Sequence, residues 1–381
     1  MMEPLGASQV LSYLFKLSDE YEYYLISLEK PNDYKKNEEL ERLKKTIQDK
    51  GIHWVLVKYK TSRIGKFFNF FNFTRIVYKT VVKNKIKYIH SRSYLPTISA
   101  FLLKKVKNIK YLFDTRGFAF DERADVGSIS RKGLVFKTLK KLEKSLYKNA
   151  SGINKLSFLG KETVLGNELF NEGDEIKNIE VIPTCVDLDR FQYSKRSFNK
   201  PITIGYIGTA VGWYDFDKTM ETLSVISKTI DYKFLVFNGN QHEFIREKIK
   251  EYNIDKKKVT IEKVPFKEMP TRLKEIDVAL FYIYPYFSKK ASAATKLGEL
   301  FASGIPVLTN KDVGDHEFYI NNYKTGKILE FNKINDYNFS EIFDSILNEQ
   351  TAINCRMVAE KYFSLDKGVE NYKKLYREIF N

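Results

Sequence analysis

Short apolar runs recur along this chain. Between most of them lie stretches in which apolar positions return every three or four residues. The runs fall at Tyr23–Leu28, His53–Val57, Tyr88–His90, Tyr111–Asp114, Gly152–Asn154 and Glu180–Ile182. A second series follows at Thr203–Ile207, Lys233–Phe237, Val259–Glu262, Val278–Tyr282, Pro306–Leu308 and Gly326–Leu329. Runs this short predict strands buried on both faces, and the longer period between them predicts helices. Strand–helix alternation gives an α/β fold of parallel sheets covered by helices. A Pro-containing break near Pro183–Pro201 splits the series into two doubly wound, Rossmann-like domains facing a central cleft, with ligands expected at strand carboxyl ends. The expected division is 1–185 for the first domain and 186–365 for the second. A helix at 366–381 returns toward the first domain. Further helical segments are expected near Glu341–Asn348 and Thr351–Phe380.

The start breaks the pattern. Pro4-Leu5-Gly6-Ala7-Ser8-Gln9-Val10 runs straight into a helical pattern. Gly6, Ala7, Ser8 and Gln9 read as a loop whose small residues permit close backbone approach by a ligand. Such a loop normally follows a first parallel strand, and no apolar run precedes it. Either that strand is absent, or the start is truncated or misassigned.

Charge changes the picture more than length does. The chain has 381 residues and a formal net charge of +16. Between residues 51 and 150 there are 23 Lys and Arg against five Asp and Glu, which leaves the rest at −2. No acidic residue lies between Asp49 and Asp114. A low-GC composition explains abundant lysine but not this missing acid, so one domain is expected to meet an anionic partner: phospholipid, nucleic acid or a phosphorylated substrate. No run approaches the roughly 18 apolar residues that span a bilayer. The first ten residues lack signal-peptide features. Cys185 and Cys355 show no metal spacing and read as reduced thiols of a cytoplasmic protein. Within 63–87, Phe67, Phe68, Phe70, Phe71 and Phe73 are interleaved with basic residues, a composition suited to an anionic membrane interface. The plainer reading is a sheet-covering helix with solvated lysines. Because the aromatics surround the helix axis, some are expected buried and some exposed.

The sharpest motif spans Ser288 to Val307: a small-residue loop, a helix holding Thr295, Lys296 and Glu299, a glycine stop and a new strand. A helix N-terminus preceded by small residues can offer N–H groups to a diphosphate. Lys296 adds a point charge. Glu299, three residues on, can accept ribose hydroxyls. Taken alone, the pair also fits an ordinary surface ion pair.

This segment resembles the nucleotide-binding motif of the retaining family 4 glycosyltransferases of the glycosyltransferase B (GT-B) fold. Asp277–Leu280 is similar to that family's preceding strand, Val181–Phe191 to its interdomain linker, and Ile204–Gly208 to its first C-domain strand and turn. Two departures stand out. The family's first glutamate falls here on Ala291, with Ser288 and Lys289 nearby. The arginine that often follows the first C-domain strand is absent, since Gly208 precedes Thr209-Ala210-Val211-Gly212-Trp213-Tyr214; Trp213 or Tyr214 then lines the nucleotide pocket or packs in the core. In the N-domain, Gly6–Gln9 resembles the family's loop. Tyr88–Tyr94 and Phe113–Arg123 resemble paired signatures of a surface-polysaccharide branch.

From this resemblance His90, Asp114, Arg116 and Asp121 are candidate catalytic residues, with Arg92 and Tyr94 on the acceptor side. An Arg116–Asp network that merely orders the loop is the competing reading. The resemblance implies a retaining hexosyl transfer from a nucleotide-diphosphate sugar, UDP-sugar by default, to a lipid-linked glycan acceptor in surface polysaccharide synthesis. It implies no protein nucleophile and no further cofactor. Asp187-Leu188-Asp189 and Asp215-Phe216-Asp217 match a metal pattern of another fold, but Asp also favours helix starts and the histidines lack ligand spacing, so no metal is expected. The expected location is the inner face of the cytoplasmic membrane, held peripherally. Competing readings are a nucleotide-sugar epimerase and an inactive relative of the same fold. A nucleic-acid-binding protein fits less well, and no nucleic-acid partner is expected.

Overall fold

The computed structural model describes residues 1–166, 176, 178–195, 197–198 and 200–380. Arg196 and Asn199 of the expected hinge lie outside the described residues, as do the side chains of Pro4, Arg63, Ile64, Lys66 and Phe67. Among the described residues there are twelve strands, one for each apolar run, and every strand pair is parallel. The chain divides into two compact units. One holds residues 1–156, 161–182 and 365–381; the other holds 157–160 and 183–364. Residues 157–160, expected in the first domain, thus belong to the second.

In the first unit β1 (Tyr23–Glu29) pairs with β2 (Ile52–Lys58). A separate sheet has the order β3 (Tyr88–Arg92), β4 (Lys110–Asp114), β5 (Gly152–Lys155), β6 (Ile179–Val181). The sheet is therefore in two pieces. Residues 4–17, read from sequence as a loop entering a helix, are helical throughout, so Gly6, Ala7, Ser8 and Gln9 form no phosphate-type loop. A doubly wound sheet sets the strand that feeds its first loop in the middle of the strand order. Among the described residues no strand precedes β1. The helical start instead buries Leu11 against Ile47 and Ile52.

The basic aromatic segment forms one helix, Arg63–Lys83, started by the Ser62 hydroxyl accepting from Gly65 N–H. Phe73, Val77 and Val81 share a core with Val57, Leu103 and Ile109. Burial of each such side chain is worth about 1.5–3 kcal/mol. Phe68, Phe71, Tyr78 and Val82 lie on the exposed side.

The second unit has one six-stranded sheet in the order β12-β11-β10-β7-β8-β9. Its strands are β7 (Ile202–Ile207), β8 (Tyr232–Phe237), β9 (Val259–Glu262), β10 (Val278–Leu280), β11 (Val307–Thr309) and β12 (Gly326–Ile328). The first strand, β7, lies between β8 and β10, so the winding reverses there. Ligands of open α/β sheets bind at the carboxyl ends of the strands beside such a reversal.

Candidate active site

The chain leaving β7 turns at Gly208 with φ +98°, a conformation open to glycine. A Cβ there would lie 3.3 Å from Lys296 Nζ. The turn is ordered by two side chains at the end of β8. Asn238 Nδ2 donates to Gly208 O (2.8 Å) and to Gln241 Oε1 (2.9 Å). Gln241 Oε1 also accepts from Ala210 N (2.9 Å) and Thr209 Oγ1 (3.0 Å). Further on, Tyr284 N–H donates to Trp213 O and Asp215 N–H to Tyr282 O, both at 3.0 Å, fixing Trp213 and Tyr214 beside the end of β10.

Thr295 opens the helix Thr295–Ala302, whose N-terminus has no side-chain cap. Lys296, in its first turn, is only 7% exposed and its Nζ makes no hydrogen bond. Three rings surround it: Tyr214 with its centroid 3.8 Å away, Phe281 at 4.9 Å and Tyr206 at 5.2 Å. Burial pushes its ammonium down to about 7, opposed in part by Glu299. An unpaired buried ammonium is costly, and a desolvated ring face returns on the order of 2 kcal/mol. Glu299 is pushed up to about 7, again by burial, against the pull of Arg190 and Lys296. Both groups of the sequence motif are thus poised near neutrality.

Ser288 and Lys289 are buried in the turn Phe287–Ala291. Ser157 Oγ donates to Lys290 O (2.7 Å), Gly314 N–H to Lys289 O (2.9 Å) and Thr184 Oγ1 to Ala293 O (3.0 Å). These bonds hold the loop ahead of the helix. Gly208, Trp213, Ser288, Thr295, Lys296 and Glu299 all belong to this unit and lie on the segments that follow β7 and β10. Sequence reasoning missed the Asn238–Gln241 brace; its signal was the polar Asn238-Gly239-Asn240-Gln241 directly after a strand. It also missed His316, buried edge-on against Phe281 and pushed down to about 4 by burial.

In the first unit the carboxyl ends of β3 and β4 carry a second cluster. Asp114 is fully buried and accepts from Asn154 Nδ2 (2.9 Å) and Arg92 Nη1 (3.0 Å), with Tyr372 Oη at 3.5 Å, Arg116 Nη1 at 3.6 Å and His90 Nε2 at 3.8 Å. Burial alone would raise its carboxyl, but Arg116, His90 and Arg92 together hold it well below the usual carboxylate range. His90 Nδ1 lies 2.6 Å from Tyr376 Oη. Ser93 and Arg116 have φ of +72° and +57°, and Ser93 combines this with ψ 175°, a region nearly confined to glycine. His90, Arg92, Asp114 and Arg116 therefore come together around one carboxylate.

Asp121 and Tyr94 do not join them. Asp121 is buried and ion-paired to Lys140 (2.7 Å) and Arg131 (2.8 Å). Tyr94, expected on the acceptor side, is a core residue: its hydroxyl bonds to the buried Glu143, and its ring packs edge-on against Phe113 and Phe120. An aromatic after a strand fills the sheet–helix layer as readily as it lines a site.

Both Asp-x-Asp segments have local explanations. Asp187 Oδ1 accepts from Asp189 N–H, and Asp215 Oδ1 from Lys218 N–H at a helix start. Among the described residues no three His, Cys, Asp or Glu gather as a metal site. None of the described helices is long and apolar enough to cross a membrane.

Residues 189–362 match the family model "Glycosyl transferases group 1". No curated protein matches the chain. Sucrose-phosphate synthase from Thermosynechococcus elongatus is similar in fold, with a TM-score of 0.68 at 17% identity over 95% of this chain and 99% of that one. Anabaena HepE in complex with UDP-glucose gives 0.68 at 12% identity over 99% and 97%. The lipopolysaccharide outer core galactosyltransferase WaaB gives 0.61 at 14% identity over 85% and 84%. Residues 189–362, which carry the Lys296 site, are thus similar to the group 1 glycosyl transferases, within a chain of the GT-B fold.

Proposed function

We propose that this protein is a retaining glycosyltransferase that moves a sugar from a nucleoside-diphosphate sugar to a glycan acceptor. The observation that carries this reading is Lys296: a buried ammonium with no hydrogen-bond partner, at the winding reversal of the sheet and in the first turn of an uncapped helix. A diphosphate satisfies both features at once. The uncapped N-terminus offers N–H donors and Lys296 a charge, so negative charge building on the departing diphosphate is stabilised without a metal. Glu299 accepts the ribose hydroxyls. UDP is the first base to test, since HepE was solved with UDP-glucose.

We assign the acceptor to the first unit, with Arg92, Arg116 and His90 as its contacts. Asp114 orients them rather than taking a proton, because a carboxylate held so far below its usual range is a poor base at neutral pH. The transfer proceeds with retention, the departing phosphate taking the acceptor proton. The acceptor is lipid-linked, part of surface polysaccharide synthesis, and the protein works at the inner face of the cytoplasmic membrane. Support for the membrane contact comes from the outer row of the Arg63–Lys83 helix, where Phe68, Phe71, Tyr78 and Val82 alternate with Arg75, Lys79 and Lys83. Apolar and basic side chains in one exposed row suit a headgroup layer.

The test is a thermal-shift screen of UDP, GDP, CMP, ADP and their sugar conjugates on the wild type, Lys296→Ala and Glu299→Ala. A ligand bound only by the native state raises Tm. One nucleotide diphosphate is expected to do so, with the shift lost in both variants. A screen in which no nucleotide stabilises the wild type sinks the reading.

A further inference from the structure

Residues 119–149 of the first unit hold an ionic network that the proposed transfer leaves unused. Asp121 and Asp125, on the helix Ala119–Asp125, bind Arg131 at 2.8 and 2.5 Å. Lys140 pairs with Asp121 at 2.7 Å and also with Glu143, which accepts from the Tyr94 hydroxyl. Arg131 and Lys140 both lie over the Phe136 ring. Ser128 and Ile129 N–H groups donate to Arg123 O, and Gly133 N–H to Ser130 O. The loop of residues 126–133 is therefore braced at its base from both sides.

What the braced loop carries is apolar. Leu134 is 80% exposed, Val135 61% and Val126 57%. A single exposed leucine is ordinary surface, but here three apolar side chains flank one fixed loop. Leu134 and Val135 open the helix Leu134–Asn149, whose first turn has neither an acidic residue nor a side-chain cap. Helix starts that face water favour both. Residues 126–141 contain five Lys and Arg and no Asp or Glu, and Lys132, Lys137 and Lys141 are exposed. The helix ends just before β5, so its first turn lies toward the carboxyl ends of the strands, the edge that carries Arg92, Asp114 and Arg116.

We propose that this apex, Val126 with Leu134 and Val135, is a second membrane-docking site that enters the headgroup layer of an anionic bilayer. This deepens the membrane reading and rests on it, through residues other than those of the Arg63–Lys83 helix. Aliphatic side chains that project this far enter a fluid layer more readily than they fill a shaped pocket. The exposed lysines around them attract lipid phosphates, and the open first turn offers N–H donors to the same groups. Because the Asp121 network already fixes the loop, docking there orders little that was free before. The acceptor edge of the sheet is thereby brought to the bilayer, where the sugar of a lipid-linked acceptor lies.

Vesicle flotation tests it, with phosphatidylcholine alone and with equal parts of phosphatidylcholine and phosphatidylglycerol. The proteins are the wild type, Leu134→Ser/Val135→Ser, Lys137→Gln/Lys141→Gln and Phe71→Ser, the last changing only the other helix. The wild type is expected to bind the anionic vesicles. Leu134→Ser/Val135→Ser and Lys137→Gln/Lys141→Gln are each expected to bind them roughly tenfold more weakly. Both should melt like the wild type, because the side chains changed are exposed. Leu134→Trp is expected to be quenched by bromine-labelled lipid well beyond the wild type, whose tryptophans are Trp54 and Trp213. If Leu134→Ser/Val135→Ser floats like the wild type, the proposal is overturned; a loss in Phe71→Ser alone then leaves the membrane reading standing. A wild type that binds neither vesicle removes the membrane reading and the apex with it. Self-association of the wild type that Leu134→Ser/Val135→Ser abolishes in sedimentation, with flotation unchanged, makes the apex an interface between copies and overturns the proposal too.

Discussion

Asp114 and Lys296 are both buried charges at the carboxyl ends of parallel strands, one in each unit, yet their surroundings are opposite. Asp114 is saturated: Arg92, Asn154, Arg116, His90 and Tyr372 converge on two oxygens. Lys296 has three rings and no hydrogen bond. A buried charge with all its partners adds order and has little left to offer a ligand. A buried charge without them is held in place by the fold around it and gains most from an incoming anion. The comparison separates a scaffold charge from a binding charge by counting partners rather than by residue type.

The largest expected effect lies on the saturated side. Asp114→Ala strands two guanidinium groups and should destabilise the first unit by about 3–5 kcal/mol, the range for breaking a buried pair. Denaturant unfolding measures it, and nucleotide binding by the second unit should survive below the unfolding midpoint. A loss under about 1 kcal/mol would mean that Asp114 is not the hub described here.

Lys296→Ala should do the reverse. Transfer is expected to fall by about 10²–10³, the scale seen when one leaving-charge stabiliser is removed. The Tm of the unliganded protein should stay level or rise, because a costly buried ammonium has gone. A clear drop in Tm would show Lys296 to be structural.

The two charges also predict a rise of stability with pH in two separate windows. Lys296 titrates near 7 in the folded chain, below its ordinary 10.5, so the unfolded chain binds the extra proton between those values. Stability of the unliganded wild type should therefore rise with pH across that window, and Lys296→Met should flatten the rise. Diphosphate affinity should fall over the same window, because the anion needs the charged form. Asp114 is depressed, so its contribution is present above the ordinary aspartate value of about 3.9 and is lost as pH falls below it. Lower in size is Gly208→Ala. A side chain at φ +98°, 3.3 Å from Lys296 Nζ, should cost on the order of 1–2 kcal/mol of stability and weaken nucleotide binding a few-fold. Wild-type affinity in that variant would mean the turn does not approach the ligand.

Much of the frame was legible in the chain. All twelve strands match apolar runs, and the parallel α/β class follows from their alternation with helices. Lys296 and Glu299 were legible because small residues, a helix start and a Gly-Ile-Pro-Val strand surround them. These are local patterns, fixed by which faces a short segment must bury. Tertiary structure decided the rest. Tyr372 and Tyr376, from the last helix, reach His90 and Asp114 and settle that cluster's character. Tyr94 turned inward to Glu143, and Asp121 went to Lys140 and Arg131. Residues 4–17 became helix, because helical periodicity there prevailed where small residues suggested a loop. Apolar periodicity reports burial one segment at a time. Whether a buried charge is already neutralised depends on partners up to hundreds of residues away, and only the folded chain brings those within reach.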